Sequence, residues 1–163
     1  MGDVSTHHPS RMLGWREWVG LPDLGVDWLK AKIDTGAQTS SLHAFALERF
    51  LRDGEDWVRF EVHPWQRGSR DARVVELPVH DRRPVKSSSG HVEERVVVRI
   101  GLRLLDSVLP AEVTLTRRDS MGFRMLVGRE VLRRGFLVDS SASYLGGRPP
   151  KEIRQANRQE HQD

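Results

Sequence analysis

One carboxylate in this chain stands where it could do chemistry. Lys30-Ala31-Lys32-Ile33 alternates polar and apolar residues and runs into Asp34-Thr35-Gly36, followed by Ala37-Gln38-Thr39-Ser40-Ser41-Leu42. Alternation with period two reads as a strand, and an acid, a hydroxyl and a glycine at its end read as a turn that needs a residue without Cβ. An acid held that way can serve as a general acid or base. The tripeptide alone is a weak signal, since average composition produces it by chance, and its meaning rests on what accompanies it. Much later in the chain a second apolar run, Met125-Leu126-Val127, ends in Gly128-Arg129 ahead of Glu130-Val131-Leu132.

The elements that must position these residues are mostly short strands. Gly14 to Pro22 alternates as a half-buried strand, Pro22-Asp23-Leu24-Gly25 is a turn, and Trp28 to Ile33 delivers Asp34. Ser40 to Ala44 leaves the turn as another strand. Ala44 to Asp53 fits either one or two helical turns or a strand with an irregular loop. Trp57 to Pro64 alternates cleanly, and Arg73 to Val79 reads as its hairpin partner. Arg82 to His91, with Ser87-Ser88-Ser89-Gly90 inside it, reads as a polar loop tip. Strands follow at Val92 to Leu102 and Ala111 to Thr116, joined by a turn over 104–110. Gly122 to Gly128 is an apolar run, Glu130 to Arg134 a short helical turn, and Gly135 to Asp139 a last strand. Many short strands with frequent turn signals imply an all-β barrel or folded sheet with one short helix near its C-terminal end.

The domain reading is a disordered N-terminal segment over 1–12, one β-barrel domain over 13–147, and a disordered tail over 148–163. The tail carries Ile153 as its one large apolar group, too little burial to offset its ordering entropy. A chain of 163 residues supports one domain with a proper core. With 26 basic and 23 acidic residues the net charge is only +3, which reads as a mixed-charge surface rather than a nucleic-acid groove. Cysteine is absent, which excludes disulfides and thiolate chemistry and permits a reducing compartment. No basic segment followed by an apolar run opens the chain, and no run of about 18 apolar residues occurs, so the expectation is a cytoplasmic protein away from membranes.

An apolar strand into Asp34-Thr35-Gly36-Ala37 and a late apolar segment into Gly128-Arg129 before a short helix resemble the retropepsin-type aspartic proteases. The likeness extends to Gly14-Trp15-Arg16-Glu17, to Ser88-Ser89-Gly90, to Leu115 through Arg129, and to Phe136-Leu137-Val138-Asp139. Together these resemble the bacterial retropepsin-like family often labelled "ATP-dependent zinc protease", associated with ATP-grasp peptide or glutamate ligases, over about residues 13–146.

The resemblance implies a retropepsin-like closed barrel and peptide hydrolysis by water activated between two carboxylates. Like charges that close cannot both ionise, so one stays protonated while the other acts as base. The chain supplies one Asp-Thr-Gly, so a homodimer placing two copies of Asp34 across a two-fold axis completes the pair. In that scheme Asp34 is acid or base, the Thr35 hydroxyl fixes the turn, and Gly36 lets the backbone approach. Ala37, Ser88, Ser89 and Gly90 line the substrate, the last three as a mobile flap or as an ordinary surface loop. Gly128 and Arg129 support the turn from beneath. The stretch from Gly36 to Gly128 is longer than in retroviral enzymes, with extra residues around 48–80 that could reshape the flap or the pairing of two copies.

No cofactor or metal is expected. No His-Glu-x-x-His occurs, and His43, His63, His80 and His91 fall on separate elements. No Gly-x-x-x-x-Gly-Lys-Ser/Thr loop occurs either, so ATP belongs with a partner ligase. Partners are then a peptide or protein substrate, a second copy, and an ATP-grasp ligase in functional association. A non-proteolytic peptide-binding or assembly module on the same fold is the alternative, and a basic RNA-binding barrel a more distant one.

Overall fold

The computed structural model describes residues 11–65, 68–86, 89–117 and 122–159. Eleven strands and two short helices make it up: β1 Arg11–Leu21, β2 Val26–Ile33, β3 Ser40–His43, β4 Phe45–Arg52, β5 Glu55–Val62, β6 Arg73–Pro78, β7 Asp81–Lys86, β8 Val92–Leu104, β9 Ser107–Thr116, β10 Met125–Val127, α1 Arg129–Leu132, β11 Phe136–Ser143 and α2 Lys151–Gln159. The all-β retropepsin-like reading holds. Eight strands form one sheet in the order β11-β1-β2-β10-β3-β9-β8-β7, and β4-β5-β6 form a second. β1 also meets β8 at Gly20 opposite Arg103, which brings the larger sheet round on itself at that point.

Alternation sets the core. In β8 the residues Val96, Val98, Ile100, Leu102 and Leu104 all point inward and are at most 6% exposed. Each such side chain contributes about 1.5–3 kcal/mol when fully buried. Val58, Phe60 and Val62 of β5 join the same core from the small sheet. Glu17 shares the inward parity of Val19 and Leu21 and is 1% exposed. Its carboxylate accepts the backbone N–H groups of Gly14 at 2.6 Å and of Leu145 and Gly146 at 3.0 Å, pinning the end of the barrel chain onto β1. A buried carboxylate is tolerated because main-chain donors replace its water.

Several expectations are corrected. Asp81–Lys86, read as loop, is a strand paired with β8, with the turn confined to the residues beyond it. It was obscured because Pro84 and the charged residues around it suit a sheet edge, where missing donors and exposed side chains cost nothing. The turn expected over 104–110 shrinks to Leu105 and Asp106. Phe45–Arg52 is a strand throughout, with Ala46 at positive φ interrupting its pairing with β5. The tail, expected to lack order, carries α2: Pro150 opens it by accepting the Ile153 and Arg154 N–H groups, and Ile153 lines a cleft with Trp28, Pro64 and Trp65. The first ten residues of the proposed N-terminal segment lie outside the described residues, whereas Arg11 and Met12 already belong to β1. No helix among the described residues is long and apolar enough to cross a membrane.

Candidate active site

Asp34 directly follows β2, and the structure holds it through β10, which lies between β2 and β3. β10 runs parallel to β2, with Val127 opposite Ile33, and antiparallel to β3, with Leu126 opposite Ser41. At the end of this ladder the Asp34 N–H donates to Val127 O at 2.9 Å. The Asp34 Oδ1 accepts the Gly36 N–H at 2.9 Å, and Ala37 N–H reaches back to Asp34 O at 3.3 Å. The Asp34 backbone is therefore held in a tight turn, and one main-chain donor, the Gly36 N–H, fixes its carboxylate. It is half-buried, and among the described residues that one hydrogen bond is all it makes.

The chain after β10 closes the floor. Arg129 N–H donates to Ala37 O at 2.8 Å and Glu130 N–H to Gln38 O at 3.0 Å, so the first residues of α1 bond back to the far side of the Asp34 turn. Gly128 N–H donates to the hydroxyl of Ser40, which is 1% exposed, at 3.1 Å. A Cβ on Gly128 would stand 2.7 Å from the backbone C and O of Thr39, closer than real side chains come. Gly36 has a different reason. It is not in the left-handed region, contrary to the turn expected for it, but a Cβ there would stand 3.2 Å from Asp34 Oδ1.

Asp34, Thr35, Gly36, Ala37, Gly128 and Arg129 are thus brought together. Thr35 differs from its expected role: it is exposed and its hydroxyl makes no hydrogen bond among the described residues, the bracing hydroxyl being that of Ser40. Arg129 supports the turn by its backbone while its side chain is exposed. Ser89 and Gly90 lie in the turn between β7 and β8, and Gly90 has φ +87 with open space around its Cα. Ser88 lies outside the described residues. In pairing order β7 is at one edge of the sheet and pairs only with β8, so strand pairing does not join this turn directly to β2 and Asp34.

A model of the RimB-like family, described as "Retropepsin-like aspartic endopeptidase RimB", matches residues 12–149. The chain belongs to this family. The Asp34 turn, β10 and the Gly128-Arg129 step all lie within the matched span. Among curated relatives, probable alpha-L-glutamate ligases of Desulfotalea psychrophila, Shewanella halifaxensis and Parasynechococcus marenigrum are 44%, 45% and 47% identical over 142, 145 and 136 residues. These alignments cover 87%, 88% and 82% of this chain but only 31%, 32% and 28% of the relatives. The chain therefore spans about a third of their length. A Legionella pneumophila protein of unknown function has the same fold at TM-score 0.69 and 27% identity, with 83% of this chain and 98% of that one covered.

Two residues around the Asp34 turn and β10 are not singled out individually in the sequence, although the hydroxyls of 38–41 read as able to restrain the turn. Among those hydroxyls it is Ser40, buried, that accepts the Gly128 N–H. Arg124 left a signal, a lone charge in the apolar run Phe123-Arg124-Met125-Leu126-Val127, and it is 7% exposed. No group of three or more His, Cys, Asp or Glu residues able to hold a metal occurs among the described residues.

Proposed function

We propose that this chain is an aspartic peptidase that works as a homodimer, with Asp34 of each copy supplying half of the catalytic pair. The observation that supports this most is the main-chain cradle of Asp34: Val127 O and the Arg129-to-Ala37 bond hold its backbone turn, the Gly36 N–H holds its carboxylate, and Thr35 and Gly36 are exposed. In the dimer the ionised Asp34 takes a proton from water while the protonated one donates to the scissile carbonyl oxygen. The tetrahedral intermediate then collapses as a proton passes to the leaving amine. The pair titrates as a unit, so its acid and base limbs belong to both copies together. Thr35, exposed beside Asp34, is available to the second copy.

The β7–β8 turn, around Ser88, Ser89 and Gly90, covers the bound peptide, with Ala37 beside the scissile bond. Because the similar curated proteins are probable glutamate ligases, the substrate proposed is a ligase-made peptide or a protein tail modified by such an enzyme. An ATP-grasp ligase acts as functional partner in the cytoplasm, with neither membrane nor nucleic acid involved and no cofactor or metal in the step. Asp34→Asn tests this: cleavage of such peptides at mildly acidic pH disappears, and the proposal fails if cleavage persists.

A second reading, a peptide-binding module without turnover, is favoured by the open edges of β7 and β11, where an extended peptide could add as a strand. Peptide retention that survives Asp34→Asn, with no product at any pH, would support it over the first.

A further inference from the structure

At the end of β3 away from Asp34, three rings form a column. His43 stacks on Phe45 with centroids 4.1 Å apart and planes at 20°, and His63 stacks on Phe45 at 3.6 Å and 5°. Two rings that close cannot share one face, so the histidines occupy opposite faces of Phe45. Arg124 locks the column in place. Its Nε donates to Trp65 O at 2.9 Å and its Nη2 to Gly68 O at 3.3 Å, while Nη1 lies 3.5 Å from His43 Nδ1. Its Cζ is 4.9 Å from the Phe45 centroid, and its backbone O accepts the His43 N–H at 2.8 Å.

The chemistry of these partners sets the protonation state. A guanidinium only donates, so His43 Nδ1 is the acceptor and its proton sits on Nε2. Both His43 and Arg124 are buried, at 9% and 7% exposure. His63 is held below the ordinary histidine pKa, first by burial and then by the Arg124 charge, with Glu61 opposing and His43 adding to the depression. Asp71 accepts the Trp65 indole N–H at 2.8 Å, which places a carboxylate beside the Arg124 anchor. Phe45 already offers its π-system to one cation, Arg124, and a second beside it adds repulsion rather than attraction.

The column is continuous with the site. Arg124 immediately precedes Met125, the first residue of β10, and β10 ends in the Val127 carbonyl that takes the Asp34 N–H and in Gly128 beneath the turn. We infer that the His43–Phe45–His63 column is a proton-sensitive joint: His63 takes up a proton as pH falls, Arg124 loosens, and the start of β10 shifts under the Asp34 turn. Arg124 is a positioning residue, acting through β10 and touching no substrate. The sign follows from linkage. A histidine favoured neutral in the fold contributes stability that is complete above its unfolded pKa of about 6.5 and declines as pH drops below it. For the peptidase proposed above, on which this consequence rests, the joint sets an acid limit apart from the carboxylate pair.

The test is histidine and amide NMR from about pH 8 to about pH 5, across the ordinary histidine range. Wild type is compared with His63→Phe, which keeps a stacked ring without the proton, and His63→Gln, which removes the ring. In wild type the His63 ring titrates below about 6.5, and the Met125 and Gly128 amide signals move with the same midpoint. In whichever variant folds, that movement is lost. The inference is overturned if the two amides stay still while His63 titrates, or if they move with an unchanged midpoint in the variants. No cleavage is measured, so failure of the joint and failure of the peptidase proposal are separate results.

Discussion

The two ends of β3 and β10 are built from different materials. At the Asp34 end every support of the turn is a backbone group, a glycine or a hydroxyl: Val127 O, the Gly36, Gly128 and Arg129 N–H groups, and Ser40 Oγ. At the other end the supports are a guanidinium, two imidazoles and a phenyl ring. The first set does not titrate across the range where a carboxylate pair exchanges protons, so the geometry around Asp34 holds while its own charge changes. The second set includes His63, whose pKa burial and the Arg124 charge hold below the ordinary histidine value, and Arg124 and His43 sit only a few residues along the same strands. On the inference drawn above, a second pH-sensitive element then lies beside the Asp34 turn, apart from the carboxylates themselves.

That comparison can be broken at either end. The largest effect is expected from Asp34→Asn, which removes the proposed general acid or base and on that proposal lowers the rate of peptide cleavage by ~10²–10⁴-fold with little change in thermal stability. Gly128→Ala comes next, because its Cβ meets the Thr39 backbone at 2.7 Å. Overpacking against backbone costs up to about 3 kcal/mol, and Tm falls by about 2–4 °C for each kcal/mol. Differential scanning calorimetry reads this at any pH where the wild type is folded. Ser40→Ala removes the acceptor for Gly128 N–H and costs about 1 kcal/mol in urea denaturation, independent of pH.

The smallest effect sharpens the contrast from outside both ends. Glu112 accepts a hydrogen bond from Arg83 at 2.6 Å, and this bond holds its pKa below the ordinary carboxylate value of 4.5. A depressed carboxylate contributes stability above its unfolded pKa and loses it as pH falls toward the folded one. Glu112→Gln therefore flattens the stability profile below pH 4.5, and because both partners are about a third exposed the change stays below about 1 kcal/mol. Its acid dependence begins below the unfolded value of 4.5, that of His63 below 6.5, and His63→Phe removes the second while leaving the first.

Much of this was legible in the residues themselves. Alternation marked the strand into Asp34 and β-branched composition marked β8, and the Gly128-Arg129 step pointed to the segment beneath the turn. β4 and β7 were obscure for a common reason: they are sheet edges with few buried side chains, so neither period two nor composition leaves a trace. The helical tail was hidden because its order comes from local hydrogen bonds at Pro150 and one apolar contact rather than from an apolar face. Ser40 was legible only as one of several hydroxyls able to restrain the turn, because nothing local says which of them faces Gly128. Arg124 and Glu17 carried a readable one, a charge at an inward position of an apolar pattern, which in a folded chain demands partners.

The central claim is that two copies of Asp34 form one catalytic pair, and a crystal structure of the dimer tests it most directly through the distance between the two Asp34 carboxylates. The account predicts oxygens within hydrogen-bond reach, about 2.5–3.0 Å apart, with one proton shared between them. Carboxylates clearly separated across the two-fold axis, or a protein that stays monomeric while it cleaves peptides, would contradict it.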